Sequence, residues 1–367
     1  MKTIAKTFAF GALLAAVATG CGGGGGKVET PAGKNTGPKT ATGEAVTQVA
    51  ADAFNVAIES FTQHETALDW NDAVCADVAK KFDAAVANQK GKFPEATFNA
   101  GLVWQRCSND KEALPRFKQA LADDPNFHHA RAQLALYQYK ADGNADTAIS
   151  EIQRAVLDAK FQNIPALVDL AMLQMLRDGA AGGDGCKDDM ECAKKNLQRA
   201  LAVDDSYMPA FNQLALYYFK QAKKRAGYVK SAGLKRGREI VTHAADRKRA
   251  DVQQLELAAL VCSQAIRKNA KYAPIHNTAG LIQNELGQIN GAVGEFKTAA
   301  ALDPKFFEAQ MNFAFVNLSF RGFENAQSAL ERAVAMQPND YDAHLGLALA
   351  LRGQITDVIF DKFVPAV

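Results

Sequence analysis

The sequence AVGEFKTAAALDP at residues 292–304 returns as AQSALERAVAMQP at residues 326–338. Both stretches carry an alanine, a large apolar residue four positions later, another alanine three positions after that, and a closing proline. Spacings of four and three place the three side chains on one face of a helix. Proline ends the helix because it lacks a backbone N–H. The stretch therefore predicts a helix that another helix can approach closely at its small residues.

The same small-large-small pattern occurs six times along the chain. The instances are Ala113-Phe117-Ala120, Ala148-Ile152-Ala155, Ala193-Leu197-Ala200, Ala258-Cys262-Ala265, Ala292-Phe296-Ala299 and Ala326-Leu330-Ala333. Ahead of each lies a second apolar helix with a paired signature: Ala100-Gly101, Leu134-Ala135, Leu170-Ala171, Leu214-Ala215, Ala279-Gly280 and Phe313-Ala314. A repeated helical hairpin predicts an all-α fold in which each hairpin buries its apolar face against its neighbours.

This unit resembles the tetratricopeptide repeat, TPR. The resemblance covers six units in residues 94–340, with a degenerate helical pair in residues 44–93 and a partial repeat or capping helices in residues 341–367. It implies a solenoid of antiparallel helix pairs, and a related helical-hairpin solenoid is the alternative. The tryptophan usual early in the repeat is missing from every unit, where Thr97, Arg131, Leu167, Phe211, His276 and Gln310 stand instead.

The first residues predict export. Lys2 and Lys6 precede an apolar run at residues 8–17 that is too short to span a bilayer. The following A-T-G-C resembles the lipobox of bacterial lipoproteins, although Ala18 stands where that family usually has leucine. The alternative is an ordinary signal peptide with a chance cysteine.

The lipobox resemblance implies that residues 1–20 are a signal peptide and that Cys21 carries the lipid. Gly22, in place of aspartate, favours the outer membrane, with the protein on its periplasmic face. Residues 21–43 are rich in glycine and threonine and hold no large apolar residue after Val28. Such a segment cannot bury enough surface to fold, so we predict a disordered, flexible tether.

The charge of the whole chain is formally +2, and removal of Lys2 and Lys6 with the signal peptide would leave it neutral. Global charge therefore gives no reason to expect nucleic acid as a partner. Six cysteines suit an exported protein, in which disulfides persist.

Two insertions interrupt the repeats, near residues 179–191 and 223–250. The first holds Cys186 and Cys192, for which we predict a local disulfide, with two unpaired thiols as the alternative. It also holds four acidic residues, Asp184, Asp188, Asp189 and Glu191. They raise a calcium loop as a further alternative, but the residue order of the calcium hand is absent.

The second insertion has ten Lys or Arg against two acidic residues. Three readings stay open: a solvated loop without a partner, a contact with an acidic protein or with the neighbouring acidic loop, and a contact with anionic lipid or glycan. Besides Lys230, the basic residues of this loop are Lys223, Lys224, Arg225, Lys235, Arg236, Arg238, Arg247, Lys248 and Arg249.

The repeat register places Cys75 near the start of a second helix and Cys107 near the end of the following first helix. These ends meet when the helices are antiparallel, so we predict a Cys75–Cys107 disulfide. Cys262 takes the large apolar position of its helix, and we predict a small buried hydrophobe rather than a reactive thiol.

Catalysis finds no support in the sequence. No two of the six histidines have the i, i+4 spacing of a zinc-binding helix, and no G-x-S-x-G stretch occurs. We therefore predict a protein that is not an enzyme, with no cofactor, no metal and no small-molecule substrate.

Binding is the expected function, because the first helices of TPR proteins line a groove. The resemblance implies that exposed groove positions contact an extended peptide through amides and aromatic rings. Packing between repeats is the alternative for each aromatic residue. The Lys/Asn set that grips a C-terminal carboxylate is not matched. The positions are Phe98, Gln105, Arg106, Tyr139, Lys140, Asn212, Phe219, Lys220, Asn277, Asn284, Met311 and Phe315.

The last residues, DVIFDKFVPAV, are apolar and predict either a capping helix or a segment that docks on a partner. The whole chain is most similar to the TPR lipoproteins of the myxobacterial adventurous gliding-motility apparatus. That similarity implies a scaffold that binds outer-membrane barrel proteins or periplasmic subunits of an envelope-spanning machine. A pilotin-like lipoprotein for secretin assembly and a non-catalytic accessory of a peptidoglycan or lipid enzyme are the alternatives.

Overall fold

The computed structural model describes residues 39–40, 43–67, 69–180, 185–225 and 249–363. This part of the chain forms fifteen α-helices and no strand, which confirms the predicted all-α class. The helices are α1 (Gln48–Ala67), α2 (Asp72–Asn88), α3 (Pro94–Arg106), α4 (Asp110–Asp123), α5 (His128–Asp142), α6 (Ala145–Asp158), α7 (Ile164–Arg177), α8 (Asp189–Val203), α9 (Met208–Arg225), α10 (Arg249–Lys268), α11 (Ala273–Glu285), α12 (Ile289–Leu302), α13 (Phe307–Ser319), α14 (Phe323–Met336) and α15 (Tyr341–Phe363).

The helices form two compact units. The N-terminal unit holds α1–α8 and ends at Tyr207, and the C-terminal unit begins at Met208 and holds α9–α15. Within each unit, successive helices pack as antiparallel pairs, and each pair packs on the next. The predicted TPR solenoid architecture is confirmed in this form. None of the helices in the described ranges is both long and apolar enough to cross a membrane.

Short polar side chains cap the starts of several helices and form the turns that follow the second helix of a hairpin. Asn71, Asn109 and Asn144 cap α2, α4 and α6 by accepting backbone N–H groups of the first turn. After α4, α8 and α12 an aspartate accepts the backbone N–H two residues further on, at 2.8–3.0 Å. This turn redirects the chain into the next hairpin.

Residue size is matched across the hairpins. Where the large position is phenylalanine, the facing first helix has glycine: a Cβ on Gly101 would lie 2.7 Å from Phe117 Cε1, and one on Gly280 2.6 Å from Phe296 Cδ1. In the other four hairpins the large residue is smaller and the small one is alanine. These pairs are Ala135 with Ile152, Ala171 with Leu197, Ala215 with Cys262, and Ala314 with Leu330, all buried.

Replacing Gly280 by alanine is expected to lower the unfolding free energy by about 1–3 kcal/mol, because the new methyl overlaps the Phe296 ring. Gly294→Ala on α12 is the matched control: nothing lies within 4 Å of its Cβ, so it should raise stability by about 0.5–1 kcal/mol. Urea unfolding followed by circular dichroism measures both. G280A combined with F296L should regain most of the loss, and equal effects of G280A and G294A would contradict the size matching.

The tether prediction was wrong at its last residues. Residues 21–38 lie outside the described part, but Lys39 forms a bridge with Ala45, and Thr40 is buried. The Thr40 hydroxyl accepts the Glu44 N–H at 3.0 Å, and the Gln89 side chain beyond α2 holds Thr47 and Ala45 by further hydrogen bonds. The folded body therefore begins by residue 39.

The first insertion is built into the fold. Arg177 at the end of α7 forms a bidentate ion pair with the buried Asp189 at the start of α8, with N–O distances of 2.6 and 2.8 Å. Asp189 also accepts the Gly179 N–H. Asp188 caps α8, and Glu191 accepts the Lys187 N–H. These carboxylates hold the two ends of the insertion, and Asp184 lies outside the described part. No group of three potential metal ligands gathers among the described residues.

Both predicted cysteine pairs, Cys75–Cys107 and Cys186–Cys192, lie at disulfide distance. Cys75 lies in the first turn of α2 and Cys107 follows the last residue of α3, as the repeat register required.

The second insertion lies between α9 and α10, and residues 226–248 are outside the described part. Its outermost basic residues are helical rather than loop residues. Lys223, Lys224 and Arg225 belong to the last turn of α9, and Arg249 is the first residue of α10. The loop assignment was wrong for these four, because the first helix α9 continues to Arg225 and the second helix α10 already begins at Arg249.

Candidate partner-binding surface

Neighbouring first helices are joined by polar contacts. In the C-terminal unit the Thr278 hydroxyl donates to Asn212 Oδ1 at 2.7 Å, and Asn312 Nδ2 donates to Asn277 Oδ1 at 2.8 Å. In the N-terminal unit Gln105 Nε2 donates to Gln133 Oε1 at 3.3 Å. These contacts satisfy polar groups that packing removes from water.

Four of the predicted groove residues are buried. Phe98, Asn212, Asn277 and Met311 are at most 9% exposed. The prediction that they are exposed to a partner was wrong. Phe98 packs among the rings of Phe117 and Phe127, as the alternative for aromatic residues had it. The amides of Asn212 and Asn277 make the hydrogen bonds between first helices described above. A buried amide without such a partner would destabilise the fold.

Arg106 is also withdrawn from solvent. Its Nε donates to Glu65 of α1 at 2.8 Å, its guanidinium lies 5.7 Å from the centre of the Phe61 ring, and its side chain is 7% exposed. Gln105 is half-buried, Tyr139 is half-buried, and Lys140 is exposed and paired with Asp110. The N-terminal unit thus offers fewer accessible groove positions than the sequence implied.

Four accessible predicted residues lie in the C-terminal unit. Phe219, Lys220, Asn284 and Phe315 are all half-buried, on α9, α11 and α13. Lys223 lies one turn beyond Phe219, with its Nζ 4.5 Å from the centre of that ring and 3.8 Å from Glu285 of α11. The Asn284 side chain makes no hydrogen bond within the described residues, so its amide can serve a ligand. We call Phe219, Lys220, Asn284 and Phe315 the first-helix surface.

Cys262, His276 and Glu295 lie near one another but do not form a nucleophilic site. Burial and the Glu295 charge raise the pKa of the Cys262 thiol to about 12, so the thiol stays protonated. Both ring nitrogens of His276 are engaged elsewhere, Nδ1 with Glu295 at 2.6 Å and Nε2 with the Ala270 carbonyl at 2.9 Å. Cys262 is buried, as predicted.

The His276 pKa is raised, first by its hydrogen bond to Glu295, because two acceptors favour the doubly protonated ring. A raised pKa means that the pair stabilises the fold below the unfolded value of about 6.5 and that this contribution is lost as pH rises through the folded pKa. Glu295→Gln should lower the His276 pKa, as followed by NMR of the ring, whereas Glu324→Gln on the exposed face of α14 should leave it unchanged. A His276 pKa below 6.5 in the unaltered chain would contradict this.

Sequence reasoning missed a recurring polar residue directly before each paired signature of the first helix. It is Asn99, Gln133, Asp169, Gln213, Thr278 or Asn312, and all but the half-buried Asn312 are buried. The signal was present as one polar letter in an apolar stretch at the same repeat position. Asp169 differs from the others in being ionisable.

Comparison with known proteins finds the fold but not a family. No family profile matches the chain, and no curated protein matches it. TTC0263, a thermophilic TPR protein of Thermus thermophilus, is 24% identical over 61% of this chain and 99% of its own, with a TM-score of 0.47. A tetratricopeptide repeat protein from Parabacteroides merdae is 12% identical over 82% of this chain and 99% of its own, with a TM-score of 0.49.

A chain of the APC/C hetero-tetramer Cut9-Hcn1 is 17% identical over 83% of this chain and 55% of its own, with a TM-score of 0.49. Likenesses at this level concern the fold alone.

Proposed function

We propose that this chain is a periplasmic TPR scaffold lipoprotein, held at the outer membrane by a lipid on Cys21, that binds protein partners of an envelope-spanning machine of the gliding-motility type. The observation that carries the proposal is the first-helix surface: two rings, an amide without a hydrogen-bond partner among the described residues, and a lysine, spread over three neighbouring helices.

The chemistry of this surface suits an extended peptide. The Asn284 amide can both donate to and accept from a peptide backbone. The rings of Phe219 and Phe315 offer apolar contacts for alternate side chains of the peptide, and Lys220 adds a positive charge. An extended segment with an apolar and an acidic side chain is therefore the favoured ligand.

The basic insertion supports the same choice of partner. Its flanking residue Lys224 is exposed at the end of α9, the helix that also carries Phe219 and Lys220. An acidic partner would be attracted over about 8–10 Å at physiological salt, which speeds its encounter with the surface.

The lipid anchor would raise the effective concentration of the scaffold near its partners. It is tested separately from partner binding, by Cys21→Ser in cells. The proposal expects loss of lipid labelling and release of the chain from the outer-membrane fraction, with the folded part unchanged by circular dichroism. An unchanged membrane fraction would overturn the anchor.

Partner binding is tested by site-specific photo-crosslinking in cells. A photo-reactive phenylalanine analogue is placed at position 219 or 284, and, as a matched control, at position 297 on the exposed face of α12. Envelope proteins captured from 219 and 284 but not from 297 would support the proposal, and mass spectrometry would name them. The same capture from all three positions would overturn it. A secretin as the main captured protein would instead make the chain pilotin-like.

A further inference from the structure

The first and last helices of the described part expose unusual apolar stripes. Eleven large apolar side chains are exposed in the described residues, and five of them lie on α1 and α15. On α1 they are Val49 and Val56, 63% and 56% exposed. On α15 they are Tyr341, Leu351 and Ile355, 74%, 42% and 61% exposed. Single exposed apolar side chains are normal on a protein surface, but several aligned on one helix indicate a contact surface.

Each stripe has the spacing of a helix-packing seam. On α1 the exposed residues Val49, Asp52, Val56 and Glu59 follow one another at steps of three, four and three. On α15 the exposed residues Tyr341, His344, Ala348, Leu351 and Ile355 repeat the same steps and continue them by four. Alternating steps of three and four keep side chains in line along one side of a helix that packs lengthwise on another.

The two stripes carry opposite charge. Asp52 and Glu59 make the α1 stripe acidic, and α1 contains no lysine or arginine. On α15 Arg352 is exposed next to Leu351 and makes no ion pair within the described ranges. In the described part of the chain, the Asp52 carboxylate accepts a side-chain hydrogen bond only from Gln48 of its own helix. Packing two α1 stripes on each other would bring four carboxylates together. Packing the α1 stripe on the α15 stripe instead places apolar residues against apolar residues and the α1 carboxylates near Arg352.

We propose that the α1 stripe of one copy of this chain packs on the α15 stripe of a second copy. The contact is head to tail, with a different surface on each copy, so it can continue from copy to copy. Each stripe covers about four helical turns, or roughly 20 Å. An interface of that length is small, so the expected dissociation constant is on the order of 100 µM.

Sedimentation velocity of the full chain tests the proposal, with Cys21→Ser in every sample so that lipid does not drive association. The average mass should rise with protein concentration and fall when salt is added, because the charges are exposed. Arg352→Glu should weaken association about tenfold or more, and so should D52K combined with E59K. Asp52, Glu59 and Arg352 are all exposed, and circular dichroism checks that each variant folds.

The decisive sample combines R352E with D52K and E59K, which restores opposite charges with their signs exchanged. Recovery of association in this variant supports the α1–α15 contact. A chain that stays monomeric at millimolar concentration overturns the proposal. Association that is unchanged by R352E, or not recovered in the combined variant, overturns it as well, because another surface would then be responsible.

Discussion

Replacing Asp169 by asparagine should remove a pH-dependent loss of stability that the unaltered chain suffers between about pH 4 and pH 7. Asp169 is 2% exposed on α7, and its Oδ2 has no hydrogen-bond partner within the described residues. Burial raises the pKa of its carboxyl to about 7 from an ordinary value of 3.8. The structure thus favours the neutral acid, and ionisation is disfavoured while the chain stays folded.

The sign follows from proton binding. Between the unfolded and folded pKa values the folded chain holds one proton more than the unfolded chain, so the free energy of unfolding falls as pH rises. The slope is about 1.4 kcal/mol per pH unit, and the total loss is about 4 kcal/mol by pH 7. Above pH 7 the contribution is constant. The difference in stability between D169N and the unaltered chain should therefore grow by that amount and then level off.

The chain supplies its own probe for this measurement. Its two tryptophans, Trp70 and Trp104, both lie in the N-terminal unit, as Asp169 does. Tryptophan fluorescence during urea unfolding at pH 4, 5, 6, 7 and 8 therefore reports the unit that holds the carboxyl. Taking the difference between variants cancels the other groups that titrate in this range.

Asp52→Asn is the matched control, since it removes an exposed carboxylate from the same unit. It should leave the pH profile nearly unchanged. A difference between D169N and the unaltered chain that is flat from pH 4 to pH 7 would show that the Asp169 carboxyl is solvated or partnered in solution.

Removing the Cys75–Cys107 disulfide by a double substitution to alanine should lower the unfolding free energy of the N-terminal unit by about 4 kcal/mol in the chain-entropy account. The two cysteines are 32 residues apart, and the bond joins α2 to the end of α3. Without it the unfolded chain regains the freedom of a long loop, whereas the folded state keeps its packing.

The Cys186–Cys192 disulfide is the internal comparison, because it lies in the same unit and closes a separation of only six residues. C186A combined with C192A should cost about 2 kcal/mol in the same account. Tryptophan fluorescence again follows both variants. If the short loop matters as much as the long one, native-state strain or residual structure in the unfolded chain dominates, and the entropic ranking is wrong.

The repeating pattern was sufficient to predict the hairpins. Spacings such as Ala292-Phe296-Ala299 define a helix face from local geometry alone. Because the spacing recurs along the chain, it also indicates that each face packs against a similar neighbouring helix. The same register placed Cys75 opposite Cys107. The match of Gly280 to Phe296 and of Ala171 to Leu197 was also written in the sequence, although it became visible only when the contacts were known.

The candidate surface was predicted less well, because position in a repeat does not determine solvent exposure. Asn212 and Asn284 occupy comparable first helices, yet Asn212 accepts the Thr278 hydroxyl and is buried, whereas Asn284 remains half-exposed. Whether an amide is hydrogen-bonded inside the protein depends on the side chain that the next helix brings within hydrogen-bond distance.

By itself, the sequence determined the local periodicity, the helix pairs, the cysteine pairing and the placement of the insertions, because each depends on short spacings along the chain. Only the tertiary structure decided which polar groups are buried and what they contact. Three features depend on residues brought together from different helices or loops. They are the Arg106–Glu65 ion pair, the buried carboxyl of Asp169 and the hydrogen-bonded turn at Thr40. Burial is a property of that arrangement, and through it tertiary structure sets pKa values and the side chains left for a partner.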